Sequence, residues 1–335
     1  MAEERAEPQV ADPQAIIVGI DGSRASRNAL AFAIGEAQAM GRTIRLVGAY
    51  TIPSVAAATI DVSYVPIDDS AVRAAVTASL KEAAAEVRAA GVGVEAVIEI
   101  GDAAGVLVEE SRQASLAVVG SRGRGGFAGR LLGTVSSALP AHCLAPTIVV
   151  PVSWSLDGQR RPEVSSSQPV RSARGADFEQ GGDGETYPGL DFSGSVVVGI
   201  DALGKDSPAL WAAAEIAVRR GTPLHIVGVI TTTVVGPEWL PSASDMKRFV
   251  DEGADKIALA AAAVAQQHPE LTVDWTLFDG QPAEVLVRAS DTADILVIGS
   301  RGRGGFAGLL LGSTSQSVLP YAKCPTMVVR AKREG

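Results

Sequence analysis

The sequence predicts an α/β protein built from two tandem domains, each a parallel β-sheet with helices on both faces. Three observations indicate this class. Short runs rich in Val, Ile and Leu alternate with longer segments that carry apolar residues at helical spacing, as in parallel strands joined by helices. The same order of segments occurs twice, at a near-constant offset. Two domains are also the natural expectation for a chain of 335 residues.

The first half contains five strand-like segments, which follow one another with helices between them. AIIVGID (15–21) is a β-branched run typical of a buried strand, and the helix after it stops at Gly41. TIRLVGAY (43–50) is the second strand, followed after a long loop by an alanine-rich amphipathic helix at 70–90. VEAVIEIG and LAVVG are the third and fourth strands, separated by a short helix. A last helix around 135–142 precedes the fifth strand, PTIVVPV.

The second half repeats this order, which indicates a duplicated domain rather than a short solenoid unit. SVVVGID matches AIIVGID, the helix ALWAAAEIAVRR ends at Gly221, and CPTMVVRA matches APTIVVPV. The predicted domains are 15–153 and 194–332, after a disordered lead at 1–14. Residues 154–193 are rich in Ser, Gly, Arg, Pro and acidic residues, and we predict a flexible linker. An ordered loop that covers a domain is the alternative.

Composition and charge exclude several classes of protein. The net charge of −9 argues against a general binder of nucleic acid or anionic membranes. Cys143 and Cys324 occupy non-equivalent positions of the repeat and form no CxxC, so we expect neither a disulfide framework nor a zinc site. The polar, acidic N-terminus is unlike a signal peptide, and no apolar run approaches transmembrane length. We therefore expect a cytoplasmic protein without membrane insertion.

One glycine-rich stretch occurs in both halves. GSRGRGGFAGRLLGT runs from Gly120 to Thr134 and GSRGRGGFAGLLLGS from Gly299 to Ser313, with ten consecutive identical residues. Each copy follows the fourth strand and leads into a helix. Glycines permit positive φ and close backbone approach, while successive N–H groups and a helix N-terminus attract an anion, usually phosphate. Each half is therefore predicted to bind a phosphate group, with the loop arginines as its partners.

Other chemistry-bearing motifs are rejected on their context. Gly123-x-Gly125-x-x-Ala128 fits a relaxed dinucleotide fingerprint, but that fingerprint belongs after the first strand of its unit. GIDALGKD nearly matches a P-loop, yet Asp206 stands where a hydroxyl would hold Mg²⁺. The three histidines lie in no catalytic pattern, and no G-x-S-x-G is present. No catalytic residue is predicted.

The spacing G-x2-G-x9-G-[ST] in both halves resembles that of the universal stress protein family, in its ATP-binding, tandem-domain form of actinobacterial and mycobacterial type. Asp21 and Asp201 at the ends of the first strands, and the APTIVV and CPTMVV final strands, support the resemblance. It implies two adenine-nucleotide α-hydrolase-like (Rossmann-like) domains. Each would be a five-stranded parallel sheet in the order 3-2-1-4-5, with its ligand between strands 1 and 4.

The resemblance also implies a function and a set of site residues. It implies a nucleotide-responsive regulator of stress or dormancy adaptation, not a dedicated enzyme beyond weak ATPase activity, that binds two ATP per chain with Mg²⁺. In the first half the implied binding residues are Gly19, Asp21, Gly22, Ser23, Val47, Gly120, Ser121, Arg122, Gly123, Arg124, Gly125, Gly126, Gly133, Thr134, Val135 and Ser136. In the second half they are Gly199, Asp201, Val227, Gly299, Ser300, Arg301, Gly302, Arg303, Gly304, Gly305, Gly312, Ser313, Thr314 and Ser315. No residue is implied as a metal ligand.

Several alternatives stay open at the level of sequence. The loops could be turns that only join a strand to a helix, the loop arginines solvated charges, and the two aspartates helix N-caps. Ala202-Leu203 replaces Gly22-Ser23, which makes the second site the weaker candidate. An ATP-using enzyme of the α-hydrolase group and an interaction module that has lost one ATP site are the rival functions. We expect the last strands to pack as a pseudo-dimer or homodimer, an unidentified regulatory protein as partner, and no nucleic acid.

Overall fold

A computed structural model describes residues 14–51, 69–124, 131–155, 171–173, 191–201, 207–231, 243–300 and 310–330. Its strands are β1 (Ile16–Gly19), β2 (Ile44–Tyr50), β3 (Val94–Ile100), β4 (Leu116–Gly120), β5 (Thr147–Val150), β6 (Arg171–Ala173), β7 (Val196–Ile200), β8 (Leu224–Ile230), β9 (Val273–Asp279), β10 (Ile295–Gly299) and β11 (Thr326–Val329). Its α-helices are α1 (Arg24–Met40), α2 (Ser70–Ala89), α3 (Ala103–Glu110), α4 (Thr134–His142), α5 (Pro208–Arg220), α6 (Ala243–Gln267), α7 (Pro282–Ala289) and α8 (Ser313–Val318).

The described strands form one sheet in the order β3-β2-β1-β4-β5-β11-β10-β7-β8-β9-β6. Within each half all neighbouring strands are parallel and follow the predicted order 3-2-1-4-5, so the predicted fold class is confirmed. The crossover helices cover both faces of the sheet. None of the helices in the described ranges combines the length and the apolar content that a membrane span needs.

The two halves share the sheet because their last strands pair antiparallel. Ile148 lies opposite Met327, Thr147 lies opposite Val328, and Val149 lies opposite Thr326. The first residue of each strand thus faces the third residue of the other, which is a local two-fold arrangement. Pairing of the last strands with each other is therefore present inside one chain. A homodimer through these strands would have to break that pairing, since each already has a neighbour on both sides.

Side-chain alternation along the strands divides the core into two layers. Ile16 and Val18 of β1 point into a layer that also contains buried residues of α1, α2, α5 and α6. Ile17 points to the opposite layer, which contains buried residues of α3, α4, α7 and α8. Both layers include residues of both halves, so the core is continuous across the β5–β11 pair.

The ends of α1 and α5 follow the predicted signals. The Ser23 hydroxyl accepts the Ser26 N–H at the start of α1, as expected of an N-cap. Gly41 closes α1 with a φ of 60°, and Gly221 closes α5 with a φ of 62°. Only glycine adopts this left-handed conformation without strain, which explains why both helices stop there.

A buried ion cluster forms a second link between the halves. Glu36 of α1 is 3% exposed, and its carboxylate accepts hydrogen bonds from Arg219, at 3.0 Å, and from Arg220. The Arg220 guanidinium also lies 5.3 Å from the ring centroid of Phe32. The cluster is absent from the mirrored position of the repeat, since Ile216 stands where the first half has Glu36.

Part of the segment predicted as a flexible linker is built into the sheet. Within it, β6 pairs antiparallel with β9 and covers the edge of the second half. Phe192 is buried and packs edge-on against His225, with ring centroids 4.8 Å apart. At the other end Trp154 packs against Phe32. The rest of 154–193, residues 1–13 of the lead and the loop at 52–68 lie outside the described residues.

Candidate functional site

A cleft of about 510 Å³ opens at the carboxyl ends of β1 and β4 in the first half. These neighbouring strands continue into crossovers that leave in opposite directions, and this switch point is where ligands bind in open α/β sheets. The volume suits a small organic ligand. Eleven predicted residues line it, namely Gly19, Asp21, Val47, Gly120, Arg122, Gly123, Arg124, Gly133, Thr134, Val135 and Ser136.

Asp21 joins the end of β1 to the glycine loop. Its Oδ1 accepts the Ser23 N–H at 2.9 Å and its Oδ2 accepts the Arg124 N–H at 2.8 Å. Burial raises the pKa of the Asp21 carboxyl, but hydrogen bonds from Ser23, Arg124 and Ser26 outweigh burial, and the pKa lies below its usual value of 3.8. Asp21 is therefore a carboxylate at neutral pH, and it holds the loop in place across 103 residues of sequence.

Gly123 is required by this contact. A Cβ at Gly123 would lie 2.6 Å from the Asp21 Oδ2, closer than any side chain tolerates. The neighbouring Gly22 has a φ of 76°, and a Cβ there would lie 2.7 Å from the Arg124 Nη2. Both glycines therefore let the loop and the end of β1 come together.

The two ends of the glycine loop are closed by the same hydrogen bonds in both halves. The Gly133 N–H donates to the Ser121 carbonyl at 2.9 Å, and the Ser136 hydroxyl donates to the same carbonyl at 2.8 Å. In the second half the equivalent bonds run from Gly312 and from Ser315 to the Ser300 carbonyl, at 2.7 and 3.1 Å. The serine hydroxyls thus support the loop from inside, with exposures of 1% and 2%.

The N-terminus of α4 faces the cleft. Thr134, Val135 and Ser136 form its first turn and line the wall. The first N–H groups of a helix have no partner within the helix and carry partial positive charge. The exposed side chains of Arg122 and Arg124 lie at the same end of the cleft, where they add full positive charge. Positive charge at this end of the cleft would attract an anion.

Three other glycines of the predicted sites allow helices to pack closely against the strands. A Cβ at Gly120 would lie 2.5 Å from the backbone of Ala25, so α1 can approach β4 only over a glycine. A Cβ at Gly19 would lie 3.0 Å from Leu107, and its counterpart Gly199 is in the same position under Leu286 at 2.7 Å. These residues shape the floor of the cleft by letting helices lie close to the strands.

Sequence reasoning missed the wall formed by β2, β3 and α3. Tyr50, Thr51, Asp102 and Leu107 line it. The Tyr50 hydroxyl donates to the Asp69 carboxylate at 2.6 Å, and Asp102 caps α3 by accepting the Gly105 N–H at 3.0 Å. The signal was available, because strand order 3-2-1 brings the ends of the second and third strands to the same edge. Of the predicted residues, Gly22, Ser23 and Ser121 do not line the cleft.

The second half is described only in part. Val227 is fully buried in β8, and it lies beside Gly199 of β7. Gly199, Asp201 and Gly299 stand at the ends of neighbouring strands, as in the first half. Gly312, Ser313, Thr314 and Ser315 form the start of α8. The predicted binding residues Gly125, Gly126, Arg301, Gly302, Arg303, Gly304 and Gly305 lie outside the described residues, as does the pair 202–203.

The fold and the site define a tandem α/β protein with a glycine-loop cleft at the switch point of its first half. The universal stress protein family model matches residues 13–151 and 194–330, and the chain belongs to that family. A universal stress protein of Mycobacterium tuberculosis is 28% identical over 347 residues, covering 95% of this chain and 96% of the relative. One from Mycolicibacterium smegmatis is 28% identical over 331 residues, covering 97% and 99%.

A solved structure shares the overall architecture. The crystal structure of a universal stress protein from Archaeoglobus fulgidus is 21% identical, with a TM-score of 0.60, covering 97% of this chain and 98% of that one. The family model and the mycobacterial relatives together confirm the predicted family and its tandem form.

Proposed function

We propose that this protein is a nucleotide-responsive regulator that binds ATP in the cleft of the first half, and a second ATP at the equivalent position of the second half. The observation that carries the proposal is one cleft that joins an anion-binding end to an apolar wall. The anion-binding end combines the first turn of α4 with the glycine-loop backbone and two arginines. A nucleoside triphosphate is the ligand whose two ends match these two environments.

The phosphate end is supported by backbone chemistry. Unpaired N–H groups at the start of α4 would donate to phosphate oxygens, and Arg122 and Arg124 would neutralise charge. The Arg122 Nε donates to the Leu131 carbonyl at 3.2 Å, which leaves its remaining N–H groups for an anion. Gly123 keeps this region free of side-chain bulk.

The nucleoside end is supported by the opposite wall. Val47 of β2, Val119 of β4 and Leu107 of α3 provide apolar surface for a flat base. The Asp21 carboxylate lines the same cleft, so a ribose hydroxyl could donate to it. Asp21 would then bind the ribose and hold the glycine loop at the same time.

In this proposal Mg²⁺ would accompany the nucleotide and be held mainly by its phosphates. Within the described part of the chain, no group of three or more His, Cys, Asp or Glu could hold a metal ion. Mg²⁺ is commonly bound by substrate phosphates with one or two carboxylates and water. When bound, it would reduce the charge of the triphosphate.

We propose binding rather than dedicated catalysis. Asp21 and Asp102 are the carboxylates among the described cleft residues, and both accept backbone N–H bonds. The lowered pKa of Asp21 makes it a poor general base at neutral pH. Slow ATP hydrolysis is compatible with this arrangement, whereas the rival function, an ATP-using enzyme, needs an acceptor site and a base.

Nucleotide release after denaturation tests the proposal. The protein is purified without added nucleotide and denatured, and the released compounds are identified and counted per chain. We expect ATP, approaching two per chain, and ATP binding by calorimetry after the protein is stripped. One ATP per chain would limit the proposal to a single site. Nothing released, together with no heat of binding for ATP, would overturn it.

A further inference from the structure

Arg330, the residue after β11, reaches from the second half into the first. Its Nη1 donates to the carbonyl oxygens of His142 at 3.2 Å and Cys143 at 3.1 Å. These carbonyls stand at the C-terminal end of α4. A guanidinium at this position satisfies carbonyls that have no partner within the helix, and it complements the negative end of the helix dipole.

The other end of α4 forms the anion-binding wall of the cleft. The helix has only nine residues, which gives it a length of about 13 Å. The two ends of so short a helix are about two and a half turns apart, so a restraint at its C-terminal end, even with Pro140 inside the helix, bears on the direction of its first turn. Arg330 is thus connected to the cleft through α4, and it is not among the residues that line the cleft.

The same stretch of chain holds the second glycine loop. The carbonyl of Val329 accepts the Ser300 N–H at 2.8 Å, at the first residues of that loop. Arg330 follows Val329 directly. Two consecutive residues thus connect the start of the second loop to the helix that faces the first cleft.

Within the part of the chain that the structure describes, this contact runs from the second half to the first and has no counterpart in the reverse direction. Thr147–Val150 is the counterpart of Thr326–Val329, so the position that corresponds to Arg330 in the first half is Pro151. Proline has no side-chain donor and no backbone N–H. The first half therefore cannot supply the equivalent contact to α8.

We propose that Arg330 is a positioning residue of the first nucleotide site, supplied by the second half, so that the affinity of the first site for the phosphates depends on the second half. This inference rests on the proposed function. A residue that only stabilised the fold would change the unfolding midpoint without changing how the site distinguishes ATP from adenosine.

Hydrogen exchange measured separately for each half tests this proposal. Peptides that cover residues 131–142 report on the first site, and peptides that cover 310–319 report on the second. In Arg330→Gln, we expect the ATP concentration for half-maximal protection of 131–142 to rise roughly three- to ten-fold. Protection of 310–319 should need the same concentration as in the wild type, and adenosine affinity should not change.

Two further variants make the test decisive. Arg330→Met keeps the aliphatic stem and removes the donor, so either variant can carry the test if the other fails to fold. Arg112→Gln removes a surface arginine that pairs with Glu109 and should leave both half-maximal concentrations unchanged. Wild-type ATP affinity at 131–142 in a folded Arg330 variant would overturn the inference, as would equal losses for ATP and adenosine. Absence of ATP binding by the wild type would instead overturn the proposed function.

Discussion

Gly123→Ala perturbs the contact between the glycine loop and the end of β1. The new Cβ would lie 2.6 Å from the Asp21 Oδ2, and the carboxylate must move away to relieve the overlap. That movement breaks the hydrogen bond from the Arg124 N–H at 2.8 Å. Gly123 is not among the glycines with positive φ, so the effect comes from this overlap alone.

The expected loss follows from the bond that is broken. A hydrogen bond to a charged group contributes about 1.5–3 kcal/mol, and each 1.4 kcal/mol is about ten-fold in affinity. Because the loop has to return to its position against Asp21 before ATP binds, Gly123→Ala should weaken ATP binding by about ten- to hundred-fold. Calorimetry with stripped protein measures this difference directly, and exchange of the peptide 131–142 assigns it to the first half.

Gly35→Ala is the matched control for Gly123→Ala. Gly35 lies in α1 on an exposed position, and a Cβ there would meet nothing within 4 Å. We expect unchanged ATP affinity and a gain of about 0.4–1 kcal/mol in the free energy of unfolding, because alanine has less backbone freedom to lose. Wild-type ATP affinity in Gly123→Ala would refute the reasoning. Equal losses in both variants would show that the effect is not local to the loop.

Two predictions concern stability. Glu36→Gln leaves two arginines of α5 without their buried carboxylate, and it should lower the free energy of unfolding in urea by about 2–3 kcal/mol. This loss is smaller than for a fully buried ion pair because both arginines are 23% exposed. Glu109→Gln, which breaks an exposed ion pair, should leave the free energy of unfolding almost unchanged. Equal losses in Glu36→Gln and Glu109→Gln would contradict the prediction. The lowered pKa of Asp21 means that its carboxylate contributes stability above pH 3.8, which is lost as the pH falls through the folded-state pKa. The difference in unfolding free energy between wild type and Asp21→Asn should therefore shrink as the pH falls to 3.8 and below. A difference that stays constant over this range would contradict the prediction.

Much of the fold was predictable because its signals are local. Strands such as β1 and β7 are β-branched runs, and α1 and α5 end at Gly41 and Gly221, where a left-handed residue is needed. The site was predictable in the loop, where glycine spacing is visible in the sequence. The wall with Tyr50 and Asp102 was missed, because neither residue belongs to a motif and only strand order brings them to the cleft.

The sequence by itself determined the duplication, the alternation of strands and helices, the glycine loops and the family. These features depend on spacing along the chain, and the second copy repeats them. The sequence also predicted that the last strands pack together, whereas the tertiary structure decided their antiparallel direction, the Glu36 cluster and the contact from Arg330 to α4. These features join residues far apart in sequence, and the Glu36 cluster and the Arg330 contact arise where the two copies differ. Repetition therefore cannot predict them, since the direction of strands and the fit of facing surfaces exist only in the folded chain.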